Sequence, residues 1–593
     1  MTIRCSLINP NQVTVLLEEG PSSHFSAKLR AIGAEFNYRL KQYVIEIETI
    51  EYLRGEGINL KLDSAVRGEL NRLNSQKLAW IEAGKEKTKN LKIKPFPHQV
   101  EDIGRIILDK SPATINCNPV GLGKTLEALA TLNPNDSVLV TTTVSTKGVW
   151  KKQAEDLGLP FKIEVLGGRN QFRWPNPGEM LILNYDILPS IDLLKKIGSP
   201  TSSVVAIFDE AHKLKNQSSK RSQMAEQVLN GSMTRLGVYS SGGRAMFLTG
   251  TPLENSPAEL YELLRLAKKL PETLVSWSNT LRLFNARETE RGFEWGLPSL
   301  QTKARLKRSL IIHDKEKVLD LPDRIYSKIQ LECTPEAKKA LKSLEKELKT
   351  LGVDVDEAWA MADRGDQIAD TVSEAFKLLA ASKISAIHDL VSSFEETGDI
   401  VIVASAHRAP IEILEKREGW ASIHGGTKDR QDVVNNFQDG KYKGLAVTIQ
   451  AAGEGLTLTK SCTMIFVDRH FNPAKNHQCE GRIYRIGAKN TCQYIDLCWD
   501  HPLEHRRAEI IDIKKVLFQE TITSLTEMPE PDCEDFVYWK SQVRILLPQM
   551  TEFVREGKEL LESTSKTFCK KKMLDIKEYL CRAFSDRLEG FGL

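Results

Sequence analysis

Paired cysteines are missing from this sequence. Ten cysteines are scattered over 593 residues with no Cys-x-x-Cys, and the nearest two, Cys492 and Cys498, sit six apart in a strand-like segment. That pattern excludes a disulfide framework or a thiolate metal site and predicts reduced, buried thiols. Long apolar runs are missing too. No stretch approaches about 18 apolar residues, and the opening MTIRCSLINPNQ has no basic segment followed by an apolar one. The sequence therefore predicts a protein that neither crosses a membrane nor is secreted, working inside the cell in cytoplasm, nucleoid or nucleus. Charge of one sign is scarce: 82 Lys and Arg against 79 Asp and Glu leave a net +3. A polyanion would have to be met by local patches, because no global field announces one. Internal repeats and low-complexity tracts are absent. With 41% hydrophobic and 27% charged residues the chain can bury real cores, and its length predicts roughly four domain-sized units.

Residues 1–62 read as a small α+β module. Gln12–Glu18 has the pattern of a strand and Phe25–Ile32 that of a short helix stopped by Gly33. Tyr43, Ile45 and Ile47 alternate with Val44, Glu46 and Glu48 as in a half-buried strand, and Thr49–Gly55 starts a second helix. Residues 63–94 are helical in pattern and end in KEKTKNLKIK, with five lysines against one glutamate. They read as a basic linker that leaves the module separable from the rest of the chain. From Pro95 short apolar runs alternate with amphipathic helices: Ala113–Cys117, Ser137–Thr141, Met180–Asn184, Val204–Phe208 and Ala245–Leu248. This is the signature of a parallel sheet with crossover helices, over 95–270. Strands vanish from about 255 to 390, and 271–385 read as helical insertions. They return at Ile400–Ala404, Leu445–Ile449, Thr463–Val467 and Thr491–Leu497, a second α/β lobe over 386–515. Residues 516–593 read as a helical extension, which leaves room there for a protein partner.

The run Ala113–Cys117 leads into NPVGLGKT and then a helix. Gly121 and Gly123 free the backbone to wrap a phosphate, consecutive amides and the helix N-terminus supply positive potential, and Lys124 reaches the β/γ-phosphates of ATP. The Thr125 hydroxyl suits Mg²⁺. Asn118 stands where the pattern usually has its first glycine. VVAIFDEAH is an apolar strand ending in Asp209 and Glu210. A carboxylate at that strand end suits Mg²⁺, assigned to Asp209, and the next one can polarise the attacking water, which makes Glu210 the general base.

GLGKT, LILNYD, DEAH, FLTGTPLEN, KVLDLPDR, IHGGTKDR, AAGEGLTLTKS, FNP and QCEGRIYRIG follow one another in order between about 91 and 515. The series resembles the superfamily-two helicase-like ATPases and, within them, the Swi/Snf-type branch. The resemblance implies two RecA-like lobes sharing one ATP site, with helical insertions, and a DNA-dependent ATPase that uses ATP and Mg²⁺. It further implies that Gln99 reads the adenine and that Arg482 and Arg485, three apart on one helix, reach across the cleft to the γ-phosphate. By the same resemblance Gly453, Glu454 and Gly455 couple nucleotide state to the DNA track, with Gly455 counted among the nucleotide-binding residues. Thr249 and Thr251 link the lobes. DNA contacts are expected from Thr142–Lys147, Asn184–Asp186, Lys213, Lys215, Thr448 and Gln450. Two elements depart from the family pattern: Ile312 and His313 replace paired arginines, and Thr143 replaces a proline. Neither is expected to touch the ATP chemistry.

The segment HFSAKLRAIGAEFNYRLKQYVIEI is similar to the substrate-recognition module of annealing helicases, the HepA-related proteins. The combined expectation is a monomeric motor that translocates on double-stranded DNA and remodels or reanneals forks. Two rivals stay open: a motor that displaces DNA-bound protein such as RNA polymerase or a defence complex, and an ATP-gated DNA clamp that does not move.

Overall fold

The computed structural model describes residues 2–17, 34–55, 58–251, 257–289, 292–294, 300–353, 369–453 and 455–512, with a few isolated positions besides. The expected helix Phe25–Ile32, residues 252–255 of FLTGTPLEN, Glu454 and the extension 516–593 lie outside the described residues or nearly so. No described helix is long and apolar enough to cross a membrane.

The N-terminal module is a five-stranded sheet in the order β3-β4-β2-β1-β5, made of β1 (Thr2–Asn9), β2 (Gln12–Leu17), β3 (Glu35–Asn37), β4 (Gln42–Glu46) and β5 (Asn59–Leu62). Its apolar alternation is as expected, with Val13, Val15, Tyr43 and Ile45 on one buried face. The expected linker is something else. Residues Ser64–Thr88 form one helix capped by Asp63, whose carboxylate accepts from the Val66 amide. This helix lies tightly along the helix Pro97–Leu108. A Cβ on Gly84 would stand 1.8 Å from the Val100 carbonyl oxygen, and one on Gly104 1.7 Å from that of Trp80. Two glycines are needed for so close a backbone approach.

The module also makes polar contacts with the motor. Glu46, buried at the end of β4, accepts from Arg305 at 2.8 Å and pairs with Arg308, while Gln301 accepts from its amide at 2.5 Å. Glu35 pairs with Arg282 at 3.0 Å. All four partners belong to the helices Trp277–Leu283 and Leu300–Ser309.

Lobe 1 is an all-parallel seven-stranded sheet, β16-β6-β13-β10-β7-β9-β8. It comprises β6 (Ala113–Asn116), β7 (Ser137–Thr142), β8 (Lys162–Val165), β9 (Glu179–Asn184), β10 (Val204–Asp209), β13 (Arg244–Leu248) and β16 (Leu310–Ile311). Small two-stranded ribbons, β11 (Gly231–Ser232) with β12 (Arg235–Leu236) and β14 (Arg287–Thr289) with β15 (Gly292–Glu294), stand outside it. The period of two sends Leu139, Leu181, Ala206 and Phe208 to one core and Val138, Met180, Val205 and Ile207 to the other. Both faces are covered, so the strands read as near-continuous apolar runs.

Lobe 2 is an all-parallel six-stranded sheet, β17-β22-β21-β18-β20-β19. Its strands are β17 (Arg324–Leu331), β18 (Val401–Ser405), β19 (Trp420–Ile423), β20 (Gly444–Thr448), β21 (Thr463–Phe466) and β22 (Cys492–Trp499). The expected strand-free stretch 255–390 therefore needs correction. It holds the edge strand of each sheet, β16 and β17. RIYSKIQL escaped notice because it lies on an edge, its residues only alternately half-buried, and edge strands carry charge.

Candidate nucleotide and DNA site

In a parallel sheet the functional loops collect at the carboxyl ends of the strands. The order β6-β13-β10-β7-β9 therefore sets the phosphate loop, Thr249, the carboxylates, the Thr142–Lys147 turn and Asn184–Asp186 side by side. The loop after β6 turns through Gly121 (φ 92°) and Gly123 (φ 89°) into the helix Lys124–Ala130. Positive φ and crowding both demand glycine. A Cβ on Gly123 would lie 2.2 Å from Gln99 Nε2, and one on Gly121 2.9 Å from Arg485 Cβ in the other lobe. The Lys124 ammonium donates to the Asn118 carbonyl at 2.6 Å and the Pro119 carbonyl at 3.3 Å. Burial lowers its pKa, with Glu210 and Asp209 acting the other way. Thr125 follows Lys124 in the first turn, half-buried. Gln99 is buried, its carbonyl accepting from the Phe96 amide at 2.9 Å and its amide donating to the Leu122 carbonyl at 2.8 Å.

Asp209 ends β10. Its Oδ2 accepts from the Trp150 indole and from the Thr142 hydroxyl, both at 2.8 Å, and its Oδ1 from the Glu210 amide at 3.0 Å. Glu210 sits in the left-handed region at φ 52°, an uncommon and strained place for a non-glycine residue. His212 lies 3.3 Å from the Glu210 carboxylate and 3.3 Å from the Thr249 hydroxyl. The two acids titrate apart. Burial and the Glu210 charge raise Asp209. Burial also works against ionised Glu210, but the His212 hydrogen bond and the charges of His212, Lys124 and Arg482 outweigh it and hold Glu210 down to about 2.

Arg482 is therefore within electrostatic reach of Glu210 across the cleft. Its guanidinium donates to the carbonyls of Gly453 (2.6 Å) and Leu456 (3.3 Å), and Arg485 donates to Leu456 at 2.9 Å. Both arginines thus rest on the loop after β20. In that loop Gly455 (φ 69°) abuts lobe 1, where a Cβ would meet Thr146 Cγ2 at 2.3 Å. Thr251 accepts from Gln478 of lobe 2 at 3.1 Å, so the expected lobe-linking threonine does bridge the lobes.

Sequence reasoning missed Lys315. Its ammonium donates to the Val120 carbonyl of the phosphate loop at 2.9 Å and to the Tyr484 carbonyl of lobe 2 at 2.5 Å. Burial, then Arg485, Arg324, Lys124 and Arg482, lower it to about 7. Burial and Arg482 likewise lower Arg485 to about 10. No periodicity or spacing marks Lys315 in HDKEKVLDLP; only the fold brings it to the cleft.

The two departures from the family pattern also lie closer to the chemistry than expected. The His313 amide donates to Asn118 Oδ1 at 3.0 Å, and its ring meets Asp102 at 2.8 Å. Asn118 in turn donates to Asp102 at 2.8 Å and approaches Glu127, which also accepts from Asn116 at 2.5 Å. Burial and then Asp102 push Glu127 well above the carboxylate range. So the residue replacing the loop's first glycine and the residue replacing an arginine brace one another beneath the phosphate loop. Thr143 shares the hydroxyl of Thr146 (2.8 Å), which is bonded in turn to Thr142 and hence to Asp209.

Among the expected DNA contacts, Thr142, Thr143 and Thr146 are buried, Lys147 is tied to the Leu166 carbonyl at 3.0 Å, Asp186 pairs with Arg221 at 2.8 Å and Lys215 with Glu259 at 3.0 Å. Thr448 is half-buried and Gln450 exposed, at the end of β20.

These residues fit a magnesium nucleotide. Lys124, Lys315, Arg482 and Arg485 gather positive charge at the cleft, and burial first and then the neighbouring cations lower Lys315 and Arg485, as suits a polyanion site. Asp209 and Thr125 offer the hard oxygens that Mg²⁺ takes in small number beside phosphates.

The comparisons agree with this geometry. The SNF2-related domain model matches residues 108–383 and the helicase conserved C-terminal domain model residues 382–487. Together the two models cover well over half of the chain, which belongs to the SNF2-related helicase-like ATPases. Among curated relatives, the DNA annealing helicase and endonuclease ZRANB3 of Bos taurus is 24% identical over 67% of this chain and 38% of its own length. The ATP-dependent helicase YqhH of Bacillus subtilis is 23% identical over 79% of this chain and 88% of its own. The chain thus spans well under half of the bovine protein. A SWI2/SNF2 ATPase core of Sulfolobus solfataricus, solved in complex with dsDNA, aligns at 20% identity over 73% of this chain and 94% of that one, with a TM-score of 0.34. The fold assignment rests on the two parallel sheets described above.

Proposed function

We propose that the chain is an ATP-driven translocase on double-stranded DNA that remodels or reanneals forks. The observation that carries the fork reading is the clamp of Glu46 and Glu35 on Arg305, Arg308 and Arg282. It fixes a module resembling that of annealing helicases to the motor as one piece, so that a step of the motor moves the module. Relatives named as annealing helicases support the same reading.

In the ATP reaction Lys124 exchanges its loop carbonyls for the β/γ-phosphate oxygens, and Gln99 faces the adenine end. Asp209 and Thr125 would hold Mg²⁺, which when bound would neutralise phosphate charge. Glu210 takes the proton of the attacking water while the bond from the γ-phosphorus to its bridging oxygen breaks. Arg482 and Arg485 leave the Gly453 and Leu456 carbonyls for the transferring phosphoryl, so turnover requires lobe closure. Because that loop touches Thr146, and Thr146 leads to Asp209, DNA on the Thr142–Lys147 turn is felt at the metal carboxylate.

The test is reannealing of an unwound fork, with ATPase rates on single strand, linear duplex and fork. The expected result is ATP-dependent reannealing and highest turnover on the fork. Equal turnover on fork and duplex without reannealing contradicts the reading, and displacement of a bound protein instead favours the protein-removing motor.

A further inference from the structure

The end of the β3–β4 hairpin carries apolar surface that no part of the ATPase account uses. Tyr43 is buried in the module's core, Phe36 is 40% exposed and Tyr38 is 85% exposed. Their rings meet edge to face at 5.1 Å (Phe36–Tyr43) and 5.2 Å (Phe36–Tyr38), a continuous aromatic row from core to tip. The tip is held in shape: Asn37 Oδ1 accepts from the Arg39 amide at 3.0 Å and the Leu40 amide at 3.1 Å, and Lys41 closes the turn at φ 52°. Residues 36–43 read FNYRLKQY, with two cations and no carboxylate. The nearest acid, Glu35, is engaged by Arg282 and Arg305. The tip is thus rigid, aromatic and cationic, while its base is clamped to lobe 1.

We infer that this hairpin tip is a stacking site for unpaired nucleobases, with Tyr38 as the stacking ring, Phe36 as its support and Arg39 and Lys41 on the flanking phosphates. The charge selects a polyanion, and an exposed π-face beside paired cations is what single-stranded nucleic acid takes, each stacked base contributing strongly and without sequence preference. The site deepens the fork reading and rests on it for its biological use: at a fork it would engage a base at the junction while the clamp transmits each step of the motor.

The experiment uses the full-length chain and an oligonucleotide single strand carrying 2-aminopurine, whose fluorescence reports stacking. Wild type should change that signal on binding. Tyr38→Ala should abolish the change and weaken single-strand binding on the order of tenfold, and Tyr38→Trp should restore both. Replacing Arg39 and Lys41 together by Gln should lower the salt slope of single-strand binding by roughly 0.7 for each phosphate no longer neutralised. Thermal melting of each variant separates these effects from unfolding. Wild-type signal and affinity in Tyr38→Ala overturn the inference, whatever the fork assay gives. If the Tyr38 contrast holds while wild type fails to reanneal forks, the fork reading falls and the stacking site stands.

Discussion

The two lobes bring opposite chemistry to the cleft and hold it by different means. Lobe 1 holds its metal carboxylate and the loop beneath the phosphates through side chains, Asp209 by Trp150 and Thr142 and Asn118 by Asp102, while Lys124 waits on the Asn118 and Pro119 carbonyls. Lobe 2 rests its two arginines on the main-chain carbonyls of Gly453 and Leu456, in a loop that touches lobe 1 through Gly455. Side-chain scaffolding keeps a geometry constant through a cycle. Donation to loop carbonyls can be exchanged for phosphate oxygens at little cost, because one acceptor replaces another. Lobe 1 is thus the standing half of the site and lobe 2 the delivered half.

The largest effect should come from the standing half. Lys124→Ala removes the main side-chain charge on the β/γ-phosphates, and both nucleotide binding and turnover should fall, turnover by roughly 10³-fold or more. Binding of a fluorescent nucleotide analogue checks it, and a change in turnover alone would mean that Lys124 does not hold the ground state. A milder break is Trp150→Phe. The ring stays in the core while the hydrogen bond to Asp209 goes. Partners that orient a metal ligand typically matter about 10- to 100-fold, so the apparent Mg²⁺ affinity in nucleotide binding should weaken by that order. Unchanged Mg²⁺ dependence would show Trp150 to be packing only. The smallest effect is a proton. With Lys315 lowered to about 7, its amine is mostly neutral at about pH 8 until a triphosphate stabilises the ammonium. Nucleotide binding at that pH should therefore take up protons, and the uptake should fade below about pH 7, where Lys315 is already charged. Calorimetry in buffers of differing ionisation heat measures it, and Lys315→Met should remove it.

What the sequence revealed follows the same division. The phosphate loop, Asp209–Glu210 and the Arg482–Arg485 pair are contiguous motifs on a strand end or one helix turn, so local spacing exposes them. Strands buried on both faces were legible for their unbroken apolar runs. The edge strand Arg324–Leu331 was not, since a half-exposed strand mixes Lys and Ser with Ile. Lys315 between Val120 and Tyr484, Trp150 on Asp209 and Glu46 against Arg305 and Arg308 join residues far apart in the chain, and no spacing encodes such pairs. The helix Ser64–Thr88 was legible as a helix but read as a linker from its basic end, because the contacts that seat it, through Gly84 and Gly104, join two helices and leave no mark in local spacing.

The central claim, one ATP site completed by the second lobe on DNA, is tested most directly by Arg485→Ala. Nucleotide affinity and ATPase rate are measured with and without duplex DNA. The account predicts near wild-type nucleotide binding and loss of the duplex-stimulated rate by roughly 10³-fold, the scale of an arginine supplied across a cleft. Full duplex stimulation in Arg485→Ala would contradict it.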